Sequence, residues 1–130
     1  MCLAIVYSKK RTTQLVKDLE AREDGYIWLW KVFEVDVDDN LVAQFHDYSF
    51  YEGKNTAKGK VALKLNGTAS SYQYEPGFHC FEDYEDACYW ERNSEGICDK
   101  IVVPIKVRKS WITSAGWQER PVFVCKHIII

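Results

Sequence analysis

At 130 residues the chain is one domain on size alone, long enough to bury a core without disulfides or metal. Hydrophobic residues make up 47% of it and aromatic residues 15%, which excludes a disordered chain and supplies ring surface for a core, a pocket or an interface. Seventeen basic against nineteen acidic residues leave a net charge of −2, which argues against nucleic acid as a partner, and no apolar run approaches the ~20 residues of a membrane span.

The first residues, MCLAIVYSKK, put the apolar stretch ahead of the basic one, the reverse of a secretory leader, so a cytoplasmic location is expected. Cys2, Cys80, Cys88, Cys98 and Cys125 have no regular spacing and read as free thiols, mostly buried. CLAIVYS (2–8) is a predicted strand. Residues 9–24 carry Leu15, Val16 and Leu19 at helical spacing among charges, an amphipathic helix that starts near Thr12 or Thr13 and ends at Gly25.

YIWLWKVFEVDV (26–37) has bulk on both alternating faces and reads as a central strand covered on both sides. Asp38, Asp39 and Asn40 suit a hairpin turn into a returning strand at 41–50. Residues 51–60 read as a loop, and 61–74 as two short strands joined at Asn66-Gly67.

The stretch YEPGFHCFEDYEDACYWER (74–92) opens with Pro76-Gly77, a type II turn signal. An extended FHCF follows, then Asp83 and Asp86 as a reciprocal cap on a helix carrying Ala87, Cys88 and Trp90. His79 reads either as a semi-buried residue that holds this corner or as a ligand-binding or acid–base group facing a cleft. KIVVPIKVRK (100–109) alternates cleanly, with Pro104 pointing to an edge strand or a bulge. SAGWQERP (114–121) reads as a loop, and VFVCKHIII (122–130) as a final strand. Lys100, Lys106, Arg108 and Lys109, with Trp111 and Trp117 close behind, form either a solvated face or a surface for phosphate and ring stacking.

No GxSxG, HExxH, CxxC or GxxxxGK[ST] arrangement is present, so no motif names a reaction or a metal. The order of WLWKVF, FYEGK and GFHCFEDYEDA resembles small phage and bacterial proteins with a Gly-Phe-His-x-Phe corner followed by an Asp/Glu-Ala helix. That resemblance implies a compact cytoplasmic protein of a mobile element, and it carries over no catalytic residue.

The expectation is therefore a single α+β domain over residues 1–130, a mostly antiparallel sheet with two helices. Its expected role is that of a non-enzymatic, phage-encoded binding or inhibitor protein with an anti-defence function. It would sequester a small nucleotide-like ligand or block a host protein. The expected ligand-binding residues are Phe78, His79, Trp90, Lys106, Arg108, Trp111 and Trp117, with no catalytic residue, metal ligand or cofactor assigned. The apolar final strand needs cover, which suggests a homo-oligomer. The alternative is an enzyme with a nucleotide cleft near His79. The strand–corner–helix is similar to some ADP-ribosyltransferase-like folds, although the histidine–tyrosine–glutamate set of such enzymes is not evident in order.

Overall fold

The computed structural model describes residues 3–42, 49–57, 62–64, 72–74, 77–94 and 99–130. In chain order they form β1 (Ile5–Val6), α1 (Lys9–Asp18), β2 (Ile27–Val35), β3 (Leu41–Val42), β4 (Lys54–Thr56), β5 (Ala62–Lys64) and β6 (Tyr72–Tyr74). Then come β7 (Phe78–Cys80), α2 (Tyr84–Asn93), β8 (Asp99–Val107), β9 (Ile112–Trp117), β10 (Pro121–Cys125) and β11 (His127–Ile129). The class is α+β, with two helices and antiparallel sheets, as expected. One sheet runs β1-β9-β10-β7, a second runs β3-β2-β8-β11-β4, and β5 pairs with β6 as a separate ribbon.

Two features join the large sheets into a closed circuit of strands. β10 and β11 are consecutive, separated by Lys126 alone, and pair with different sheets. At the far side Trp30 of β2 and Phe81, just after β7, exchange both backbone hydrogen bonds, at 2.8 and 2.7 Å. The circuit β10–β7–β2–β8–β11 is a small barrel, which leaves fewer strand edges unpaired. Its interior holds Leu29, Phe33, Phe78, Cys80, Ile105, Val107, Phe123, Cys125 and Ile128. A second core lies outside the barrel wall, where α2 sets Ala87 and Trp90 against Phe81, Val32, Val122 and Val124. β2 thus feeds both cores with alternate residues, and fully burying each such side chain stabilises the fold by about 1.5–3 kcal/mol.

Several expectations are corrected. α1 starts at Lys9, because the Ser8 hydroxyl accepts from Arg11 N–H at 3.2 Å, and it ends at Asp18 well before Gly25. Lys109 Nζ closes that end by donating to Lys17 O at 3.0 Å. Asp83 does precede α2, but its side chain makes no cap bond, and Asp86 reaches out to Arg120 at 3.5 Å instead of back to the cap. The supposed loops at 51–60 and 114–121 contain β4 and most of β9. Asn55 hides β4 in the sequence, since it is a buried polar residue whose amide donates to Tyr51 O and Gly53 O.

Ser114, Ala115 and Gly116 look like turn residues but are small for a packing reason. A Cβ on Gly116 would lie 2.1 Å from Ile5 O and 2.9 Å from Leu3 Cδ1. Gly77 is similar. It is not at positive φ, so it does not fill the left-handed position of a type II turn, and its Cβ would lie 2.7 Å from Cys125 O. Pro76 and the Asn66-Gly67 turn lie outside the described residues. The turn after β2 behaves as expected: Asp36 Oδ1 accepts from both Asp38 and Asn40 N–H at 2.9 Å, with Asp39 at φ 63°.

β8 is central and yet contains Pro104. Because Trp30 spends its backbone groups on Phe81, its pairing with Pro104 is a non-hydrogen-bonded one. The proline nitrogen therefore faces away from β2, on the side where β11 reaches only Lys106. The final strand is interior, with β10 between β9 and β7 and β11 between β8 and β4. The reason given for self-association is thereby removed.

Gly116→Ala should destabilise the protein by about 1–3 kcal/mol, since backbone oxygen cannot yield as a side-chain tip can. A urea midpoint unchanged from wild type would contradict this contact.

Candidate functional site

Tyr26 and Trp28 lead the outward row that Trp30 and Val32 continue into the core under α2. Register places Lys106 opposite Trp28 and, across β11, Ile129 opposite Lys106 and Lys54 opposite Ile129. His127 and Thr56 are the next pair along. Alternation of side chains therefore gathers Tyr26, Trp28, Lys106, His127, Thr56 and Lys54 on one face, with Arg108 at the end of β8 and Trp111 in the 3-10 turn Lys109–Trp111.

The rings and cations of this face interlock. Arg108 Nη2 donates to Tyr26 Oη at 3.1 Å, with its guanidinium carbon 4.2 Å from the ring centroid. Lys106 Nζ stands 5.1 Å from Tyr26 and 5.9 Å from Trp28. Arg22 lies 5.2 Å over Trp28, and Lys54 lies 5.1 Å from Trp111. Trp111 meets Tyr26 edge-on at 6.1 Å and His127 at 5.4 Å. Each such cation–ring contact contributes about 0.5–1 kcal/mol at an exposed site.

Among the described residues the ion pair within 4 Å is Arg120–Asp86, on the other side of the barrel wall near α2. None of Arg22, Lys54, Lys106 and Arg108 is neutralised by a described carboxylate. Four cations held by rings give this face a positive field in a protein of net charge −2. Trp28 remains 41% exposed, so one large ring of the face is available. Thr56 Oγ1 and His127 Nδ1 are 2.8 Å apart. Burial, with Lys54 and Lys126 next, holds the His127 imidazole below its ordinary range.

The seven residues expected from sequence divide. Lys106, Arg108 and Trp111 come together here. Phe78 points into the barrel, Trp90 is 6% exposed in the α2 core, and Trp117 lies on β9 opposite Ile5 and Pro121. His79 faces outward on β7, where its Nδ1 lies 2.8 Å from Gln118 Oε1 and ties the corner to the β9–β10 turn. Sequence reasoning missed Tyr26, Trp28, Arg22, Lys54 and His127. The alternation of β2 and β8 was visible, but their mutual register and the position of β4 were not.

A second cluster lies inside the barrel. Lys31 sits on the inward row of β2, and its Nζ donates to His79 O at 3.2 Å. The ammonium stands 5.5, 5.7 and 5.8 Å from the rings of Phe33, Phe50 and Phe78. Cys80 and Cys125 line the same interior. Burial holds the Lys31 amine below its ordinary value, with the two thiols opposing that shift. Burial pushes Cys80 up, but the hydrogen bond from Cys125 and the nearby lysine outweigh it, so this thiol falls below its ordinary value. The same hydrogen bond, followed by burial, pushes Cys125 well up.

No family model matches the chain, and no curated protein or solved structure matches it. Among the described residues no helix is long and apolar enough to cross a membrane.

Lys31 makes a pH prediction whose sign follows from its lowered pKa. As pH falls below about 10, the unfolded chain takes up this proton before the folded one does. Stability from the neutral amine is therefore fully present above the unfolded value and is lost toward the folded value. Lys31→Met removes that dependence, so the variant should gain on wild type as pH falls through this window. Denaturant unfolding at three pH values checks the difference, and parallel curves would contradict it.

Proposed function

We propose that the chain is a non-enzymatic binding protein, and that its ligand is a small anion carrying a planar ring, of nucleotide type, held on the face of Tyr26, Trp28, Lys106, Arg108, Trp111 and His127. The observation that carries this reading is the group of four cations set against rings with no described carboxylate within 4 Å of them. Such cations are left with charge to offer, and a planar ring adds stacking to the attraction. The modest size of the face and the net negative charge of the chain favour a small ligand over a polynucleotide.

On this reading the protein acts by occupation or sequestration in a cytoplasm. The likeness of the Gly77–Phe81 corner to phage proteins supports a ligand among the nucleotide signals that a host uses in defence. His79 is then a structural residue, held by Gln118.

Tryptophan fluorescence titrated with a cyclic mononucleotide, a phosphodiester that does not itself titrate near neutrality, tests this. Trp28→Ala and Lys106→Glu should each weaken binding about tenfold or more, and added salt should weaken it further. His79→Ala should leave it unchanged. An anion beside His127 raises the imidazole pKa on binding, so affinity should increase as pH falls from about 7.5 to about 6. Absence of any titration, or equal binding by Lys106→Glu, would remove the reading.

A further inference from the structure

The cluster inside the barrel stands apart from the open face. Cys80 and Cys125 point inward from neighbouring strands as diagonal partners, since Cys80 lies opposite Phe123 and Cys125 opposite Phe78. Both are free and fully buried. At rest the Cys80 thiol donates to Phe78 O at 3.6 Å. A buried thiol alone is ordinary core material. Here the pair shares its site with a buried lysine that no described carboxylate neutralises. An unpaired ammonium in an apolar interior is costly by several kcal/mol, and Cys80, next in the chain to the His79 carbonyl that Lys31 bonds, carries a group able to hold the balancing charge.

We propose that Cys80 and Cys125 are an oxidisable dithiol, that Lys31 is the cation positioned to hold charge on the Cys80 sulfur, and that the reactant is a small hydroperoxide. The proton of Cys80 resides on Lys31 in the reactive state. The Cys80 thiolate attacks one oxygen of the hydroperoxide, forming an S–O bond while the O–O bond breaks. The departing oxygen takes the proton from Lys31 and leaves as water or an alcohol. The Cys125 sulfur then attacks the Cys80 sulfur, the S–O bond breaks, and hydroxide leaves with the Cys125 proton as water. Two thiols and one hydroperoxide become a disulfide, one water and one water or alcohol.

Access favours a reactant the size of water. Lys31, Phe78 and Phe50 keep 9%, 8% and 7% of their surface, whereas both thiols have none. Bulky thiol reagents are therefore excluded from the native protein. Diagonal ladder partners lie about 7–8 Å apart at Cα, and a disulfide usually spans at most about 6.8 Å. Closing it draws β7 toward β10 by about an ångström.

The test uses the full chain with Cys2, Cys88 and Cys98 changed to serine. Hydrogen peroxide should lower the native mass by two hydrogens and join the Cys80 and Cys125 peptides, while N-ethylmaleimide leaves the native protein unmodified. Lys31→Met should slow the oxidation about tenfold or more. Cys125→Ser should stop at a Cys80 sulfenic acid that dimedone traps, and this arm stands if Lys31→Met does not fold. Oxidation that occurs only in denaturant, an unchanged rate in folded Lys31→Met, or no dimedone adduct in Cys125→Ser would overturn the proposal.

Discussion

Trp30 and Phe81 exchange both of their backbone hydrogen bonds, and on that exchange rests the closure of two sheets into one barrel. Elsewhere the wall has the ladder of β10 with β7 and the nine paired residues of β2 and β8, while β8 and β11 meet at Lys106 and Ile129. At this seam β7 and β2 meet through one isolated bridge. The residues next to it are the unusual ones. Lys31 follows Trp30, and its amine reaches across to His79 O, two residues before Phe81. A regular ladder would have used that carbonyl. Here a side chain satisfies it, which gives the buried lysine a structural purpose alongside any chemical one.

The bridge also decides which part of the outer face stays open. Phe81 hands the chain to α2 directly over Trp30 and Val32, where Tyr84 meets Trp30 edge-on at 4.8 Å. The ten residues of α2, a little under three turns, cover only that half of the sheet. The other half, around Tyr26 and Trp28, receives cations instead of a helix. The charged ends of Arg22, Lys106 and Arg108 stand over ring surface that no helix covers. A ligand with its own ring and negative charge matches both layers of that arrangement.

Much of this was legible in the sequence. The two-sided bulk of residues 26–37 foretold a strand between two cores, and three of the seven expected binding residues, Lys106, Arg108 and Trp111, share a face. What was not legible depended on partners distant in the chain. Lys31 looked like one polar residue in an apolar row, and only the closure of the barrel shows it enclosed by Phe33, Phe50 and Phe78. Trp90 and Trp117 have the same chemistry as Trp28, yet helix packing buries one and β9 carries the other away. Composition supplies the rings, and register decides which of them share a face. The small residues of β9 misled for a related reason, because close approach of β1 and a turn ask for the same amino acids.

Because alternate residues of β2 enter separate cores, neither core can melt by itself. Release of α2 exposes Val32 and Trp30 and loosens the strand whose other row, Leu29 and Phe33, fills the barrel. The two hydrophobic clusters are therefore one cooperative unit, without a separable subdomain between them. The amide protons of β2 that bond to β8 are accordingly exchanged through the rarest opening the molecule has, that of the whole fold.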